Sequence, residues 1–183
     1  MIGGCAKRPP ITFSSVLDIQ ADESGTRTMS VTANKKTLQK LFHNSNFSFQ
    51  SFITANCPKG LEWNYVDTAS AYELTFILSF DSLDEYQEKI DALTGIEQFS
   101  SISRPQVGVK TGFTLSEPDD VMAVFAWFTD ALKERTGLSD SKLLSYLSQR
   151  KMNLSITDEA IKAKIMHLSA TQKKFLMPSE LIF

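Results

Sequence analysis

Two cysteines, two histidines and one dense acidic run are the residues of this chain best suited to chemistry. Cys5 sits in "MIGGCAKRPP" and Cys57 in "ANCPKG", while His43 and His167 lie far apart. A zinc site needs three or four convergent ligands, and neither His has a Cys or carboxylate at ligand spacing. Asp81, Asp84, Glu85 and Glu88 form an acidic cluster but lack the Asp-x-Asp-x-Asp-Gly order of a calcium loop. Acids crowding the positive end of a helix explain the run more simply. A nucleophilic Cys57 would need a neighbour that lowers its pKa, and Lys59 alone is thin support. No Ser stands in Gly-x-Ser-x-Gly, and no His–acid pair can be assigned to one. No Gly-rich loop leads from a strand into a helix in the way that cradles phosphate. The residues therefore predict no catalytic site, no metal site and no cofactor, and the expected function is non-enzymatic.

The composition narrows the classes further. At 183 residues the chain suits one domain, or one domain with an appended lobe, and can bury a full core. Apolar residues at 42% and charged residues at 22% are ordinary for a globular protein. The net charge of −2 and the dispersed cations, densest at Lys35, Lys36 and Lys40, argue against a nucleic-acid partner. No apolar run is long enough to span a bilayer, and no charged segment followed by an apolar one makes a complete signal peptide. Two cysteines are too few for a disulfide framework. The 13 Phe, against 2 Trp and 4 Tyr, fall mostly at periodic positions and read as core.

The elements follow from periodicity. In "ITFSSVLDIQ", Ile11, Phe13, Leu17 and Ile19 share one face, interrupted by Ser15, with Val16 the exception on the polar face. "ADESG" predicts a turn in which Gly25 takes positive φ, and "TRTMSVTA" resumes the alternation with Met29, Val31 and Ala33. Asn34 caps a helix carrying Leu38, Leu41, Phe42, Phe49, Phe52 and Ile53, with "HNSN" a point at which it kinks or splits. A second hairpin, "LEWNYV" and "YELTFILSF", leads into a helix with a Ser82–Glu85 capping box and Gly95 as its left-handed C-cap. The two hairpin–helix units cannot bury their apolar faces separately. They predict an α+β fold: one antiparallel sheet built from two ββα units, helices on one face. Short strands around 97–103 and 107–115 would extend that sheet. Beyond them the chain predicts a mainly helical C-terminal part: a helix bearing Val121, Val124, Phe125, Phe128 and Leu132, a helix over 140–150, a short strand at "MNLSI", and a helix capped by Thr157. The expected organisation is a flexible tether over 1–10, the sheet domain over 11–118 and the helical part over 119–183.

Two stretches carry a resemblance. "DESGTRTM" holds Ser24, Gly25, Arg27 and Met29, and "LTFILSFDSLDEYQEKIDAL" holds Leu78, Ser79, Phe80, Ser82, Leu83, Glu85 and Tyr86. Together with "GFTLSEPDDVMAVFAWFTDAL" they resemble uncharacterised extracellular proteins and lipoproteins of Gram-positive bacteria, over roughly residues 11–135. That family has no established activity, so the resemblance supplies no site residues. It implies a surface-exposed ββα ectodomain in the cell envelope, often lipid-anchored. Ile2-Gly3-Gly4-Cys5 loosely fits the last four positions of a lipobox. Cys5 is accordingly the lipid-attachment candidate and the sole link to a membrane, with "AKRPP" a stiff tether.

The expected function is a binding or structural module for an unidentified protein or cell-wall partner. Its contact surface would be the sheet face rich in Thr and Ser at 26, 28, 30 and 32. Phe47, Trp63, Tyr65 and Trp127 are candidates for a groove that takes a hydrophobic partner, although their burial tendency favours the reading that they complete a large core. The alternative is a carrier of a small hydrophobic ligand or lipid, which requires a contiguous apolar cavity between sheet and helices of roughly 300 Å³ or more.

Overall fold

The computed structural model describes residues 11–42, 48–104, 106–107, 110–111, 113–149, 153–156, 164–166 and 178–182. Strands β1 (Ile11–Ile19) and β2 (Gly25–Asn34) form the first hairpin, followed by helices α1 (Lys35–Phe42) and α2 (Phe49–Asn56). Strands β3 (Glu62–Asp67) and β4 (Ala71–Phe80) form the second, followed by α3 (Leu83–Thr94). Then come β5 (Ser101–Ser103), β6 (Gln106–Val107), β7 (Lys110–Thr111) and β8 (Thr114–Pro118), the helices α4 (Val121–Val124), α5 (Ala126–Thr136) and α6 (Asp140–Leu144), and finally β9 (Leu147–Gln149), β10 (Asn153–Ile156), β11 (Lys164–Met166) and β12 (Pro178–Ile182).

The fold is α+β, and its two hairpins merge as the alternation requires. β2 and β4 pair antiparallel through the middle, so that β1, β2, β4 and β3 make one antiparallel sheet. Because side chains alternate, every second residue enters the core: Ile11, Phe13, Leu17 and Ile19 from β1, Met29, Val31 and Ala33 from β2, and Leu74, Phe76, Leu78 and Phe80 from β4. The helices cover this face. Phe128 of α5 sits at the centre, its ring 5.6 Å from Phe13, 6.0 Å from Phe52 and 6.3 Å from Phe49. The described phenylalanines thus pack in or against the core, mostly in edge-on and tilted pairs that add to their area burial.

Local chemistry ends the helices where the residues indicate. Asn34 Oδ1 accepts from Thr37 N–H at 3.2 Å, and Ser82 Oγ accepts from Glu85 N–H at 3.2 Å. The Glu85 carboxylate reaches back to Asp81 N–H at 2.7 Å. Gly95 and Gly137 adopt the left-handed C-cap, at φ of 69° and 65°. α1 ends at Phe42, and α2 begins at Phe49 behind a Ser48 N-cap; the "HNSN" at which a kink or split is expected lies outside the described residues.

Three expectations are corrected. First, among the described residues the C-terminal part is helical only as far as Leu144. Residues expected to continue that helix lie as β9 parallel to β1, Leu147 opposite Ile11, and β10 follows on the same edge with Leu154 opposite Leu17. Unpaired backbone groups along the edge of β1 outweigh a local helix preference of at most about 0.7 kcal/mol per residue. Within the helix expected after Thr157, Lys164–Met166 is instead β11, paired antiparallel with β12. Second, the strands expected around 97–103 and 107–115 do not extend the main sheet. β8 joins β5 and β12 in a separate sheet of order β11-β12-β8-β5, and β6 pairs with β7 alone. Third, Gly25 is not the positive-φ residue of the first turn. Glu23 takes that role at φ 68°, with the Asp22 carboxylate accepting from Ser24 N–H and Oγ at 3.0 and 2.6 Å.

Gly25 serves space instead. A Cβ there would collide with the Asp18 carbonyl oxygen and lie 2.7 Å from the Phe80 ring. Overpacking of this kind costs about 2–3 kcal/mol. Gly25→Ala is therefore expected to lower the stability measured by urea unfolding by that amount, with the same denaturant slope as the parent chain.

Candidate functional site

The most polar place in the core is centred on Arg27. It stands in phase with Met29, Val31 and Ala33 on β2, and its side chain is completely buried. Nη2 is ion-paired to Glu117 Oε1. Nη1 donates to Ser15 Oγ at 3.2 Å. The other carboxylate oxygen of Glu117 accepts from the Tyr86 hydroxyl at 2.7 Å, and the guanidinium carbon lies 5.5 Å above the Tyr86 ring. Four elements meet here: β1 through Ser15, β2 through Arg27, α3 through Tyr86 and β8 through Glu117. Ser15 breaks the apolar row of β1 because it is a hydrogen-bond acceptor for Arg27.

The electrostatics are closed on themselves. Burial opposes the charge of Arg27 most strongly, but Glu117 and Tyr86 together outweigh it and raise the guanidinium pKa. Burial likewise pushes the Tyr86 hydroxyl well above its ordinary range; Arg27 pulls it down and Glu117 pushes it further up. Glu117 is 8% exposed, and Arg27, Tyr86 and Ser15 less still, so the pair is shielded from solution. Such an arrangement positions elements.

The residues suspected of chemistry are occupied elsewhere. Cys57 is half-buried, its thiol pKa raised by burial, with Sγ 3.7 Å from the Pro58 carbonyl. Glu85 pairs with Lys89 at 2.7 Å, and Asp84 is held by Arg104, which also binds Glu23 at 2.7 Å. Among the described residues no group of three or more His, Cys, Asp or Glu is arranged to hold a metal. No helix among them is long and apolar enough to cross a membrane. Cys5, His43, Phe47 and His167 lie outside the described residues.

Of the expected groove, Trp63, Tyr65 and Trp127 are all half-buried at the margin of the core. Trp63 is opposite Phe76 in the β3–β4 register, and Trp127 meets Phe76 edge-on at 5.2 Å. Tyr65 stacks on Tyr72 at 5.6 Å, and burial, with Asp67 nearby, pushes its hydroxyl pKa up to about 12. A separate cleft of about 310 Å³ lies between α2 and α5, lined by Phe52, Asn56, Ala131, Glu134 and Arg135. It is a helix–helix groove with mixed polar walls, not an apolar space between sheet and helices.

The opposite sheet face is different in kind. Thr26, Thr28, Ser30 and Thr32 of β2 are flanked by Thr12, Ser14, Val16 and Asp18 of β1 and by Ser79, Ile77, Thr75 and Glu73 of β4. All of these side chains are at least partly exposed. The face is a bank of hydroxyls with apolar Val16 and Ile77 on either side of Thr28 and the carboxylates of Asp18 and Glu73 at its ends. No protein-family model matches the chain, and neither a curated protein nor a solved structure is detectably similar to it.

Two outcomes are expected from the buried network. Removing one partner of a buried pair costs about 3–5 kcal/mol, whereas replacing both by apolar groups costs far less. Glu117→Ala should therefore destabilise more in urea unfolding than the double variant Arg27→Met with Glu117→Leu. Tyr86, whose folded pKa is raised, contributes stability that is complete below its ordinary value of 10 and lost as pH rises above it. Tyr86→Phe is expected to flatten the decline in unfolding midpoint measured from pH 9 upward.

Proposed function

We propose that the chain is a non-enzymatic binding or structural domain of a cell-envelope protein, with the open hydroxyl face of the main sheet as its contact surface. The observation that supports this reading is the division of the sheet. One face is filled by Phe128 and its neighbours, and the other presents Thr26, Thr28 and Ser30 beside Ser14 and Thr75. A rank of hydroxyls on rigid strands donates and accepts hydrogen bonds without carrying charge. That suits neutral polar partners such as wall polysaccharide or peptide backbone. The envelope location draws on the resemblance carried by Ser24–Met29 and Leu78–Tyr86 and on Cys5 as an acylation candidate.

The test is sedimentation of the protein with purified Gram-positive wall sacculi. Removing one hydroxyl hydrogen bond to the partner costs about 1 kcal/mol, close to fivefold in affinity. Thr28→Ala with Ser30→Ala should cut the bound fraction accordingly while circular dichroism stays unchanged. Equal pelleting of parent and variant would reject the face as the contact surface. A cytosolic full-length product carrying no acyl label at Cys5 would reject the envelope reading.

A further inference from the structure

Strand β3 is the last strand of the main sheet, and no described residue pairs with its outer edge. Its ladder with β4 determines which backbone groups face outward. Thr68 N–H donates to the Ala71 carbonyl at 3.0 Å. The pairs in step with it, Val66–Glu73, Asn64–Thr75 and Glu62–Ile77, are therefore the hydrogen-bonded ones. The amides and carbonyls of Trp63, Tyr65 and Asp67 point away from β4. The geometry at Tyr65 agrees: its N–H is taken by Asn64 Oδ1 at 2.8 Å. The Asn64 side chain stands where the carbonyl of an adjoining strand would.

The side chains beside this edge are sorted by charge. On the open face β3 carries Glu62, Asn64 and Val66, all exposed, with Glu73 of β4 opposite Val66. Neither Glu62 nor Glu73 has an ion-pair partner among the described residues, whereas Asp67 is paired with Lys35. On the inner face Trp63 and Tyr65 keep part of their surface exposed. A second copy is a poor occupant, because antiparallel β3 strands centred on Asn64 set Glu62 opposite Val66, in line with Glu73, and supply no cation to either carboxylate.

We propose that the outer edge of β3 accepts an extended segment of a partner protein as an added strand, and that the segment reads basic–apolar–polar–apolar–basic. The reading of the chain as a binding domain underlies this inference, but the contact is a strand edge and not the hydroxyl face of β2. One basic residue lies directly opposite Glu62. The other lies opposite Val66, where its aliphatic stem covers that side chain and its head extends toward Glu73, two strand spacings or about 10 Å away. The apolar residues come alongside Trp63 and Tyr65. Backbone hydrogen bonds to Trp63, Tyr65 and Asp67 supply affinity, and the carboxylates supply choice. Asn64 shields the edge in the free protein and swings aside on binding.

The probe is a fluorescein-labelled heptapeptide, Thr-Lys-Val-Thr-Val-Lys-Thr, whose symmetric core suits either strand direction. Its control carries Glu for both Lys. Fluorescence anisotropy with the whole chain is expected to show binding of the Lys peptide that weakens with salt. Glu62→Lys with Glu73→Lys should weaken it by about tenfold and favour the Glu peptide, and Asn64→Ala should tighten it. Amide hydrogen exchange should slow at Trp63, Tyr65 and Asp67. The proposal is overturned if the Lys peptide binds neither the parent nor Asn64→Ala, or if both peptides bind equally. Protection at Thr26–Thr32 instead would overturn it while leaving the hydroxyl face standing. Concentration-dependent dimers protecting the β3 amides would replace the basic partner with a second copy.

Discussion

The guanidinium of Arg27 is the constraint around which the other parts are arranged, because a buried charge must be answered from every side at once. The cost of removing guanidinium and carboxylate from water amounts to several kcal/mol per ion, and it is recovered only with good geometry and satisfied hydrogen bonds. Glu117, Tyr86 and Ser15 supply that geometry from three separate elements. The pair therefore sets the register of β2 against β1, the rotation of α3 and the seat of β8 together. A one-residue slip of β2 would turn Arg27 outward, leave Glu117 buried without its cation, and carry Met29 and Val31 out with it.

This requirement also explains how the two sheets are joined. β8 belongs to the sheet formed with β5 and β12, yet Glu117 reaches back to the main sheet through Arg27. On the surface above, Arg104 ties Glu23 in the first turn to Asp84 at the start of α3. That outer clamp is solvent-exposed and contributes little by itself. The inner one is dry, and most of the positional information resides there. With aromatic packing and an ion pair filling the described interior, the contacts proposed above fall on the open face and at the outer edge of β3.

Much of this is legible in the residues. The period of two identifies four strands and their buried faces, capping signals place the helix starts and stops, and the periodic phenylalanines are core. The network is legible only as anomalies. Ser15 interrupts an apolar row, Arg27 is in phase with Met29, and Glu117 is in phase with Phe113 and Leu115. Three polar residues at apolar phase are the signal that could have found it. Each looks tolerable alone, since a single strand does not reveal what faces it. The role of Gly25 is hidden for a similar reason: its neighbour Phe80 is remote in sequence, and the turn beside it takes its positive φ at Glu23.

The sequence by itself determined the local elements from Ile11 to Gly95 and the division of each strand into an apolar and a hydroxyl side. Those depend on periodicity and caps, which act within a few residues. Only the tertiary structure decided that β2 and β4 meet in the middle, that Arg27 is buried, that β9 and β10 line the edge of β1, and that β12 pairs with β8. Those outcomes depend on which backbone groups and charges remain unanswered once distant segments come together, and pairing them outweighs the small helix preference of the segments that do it.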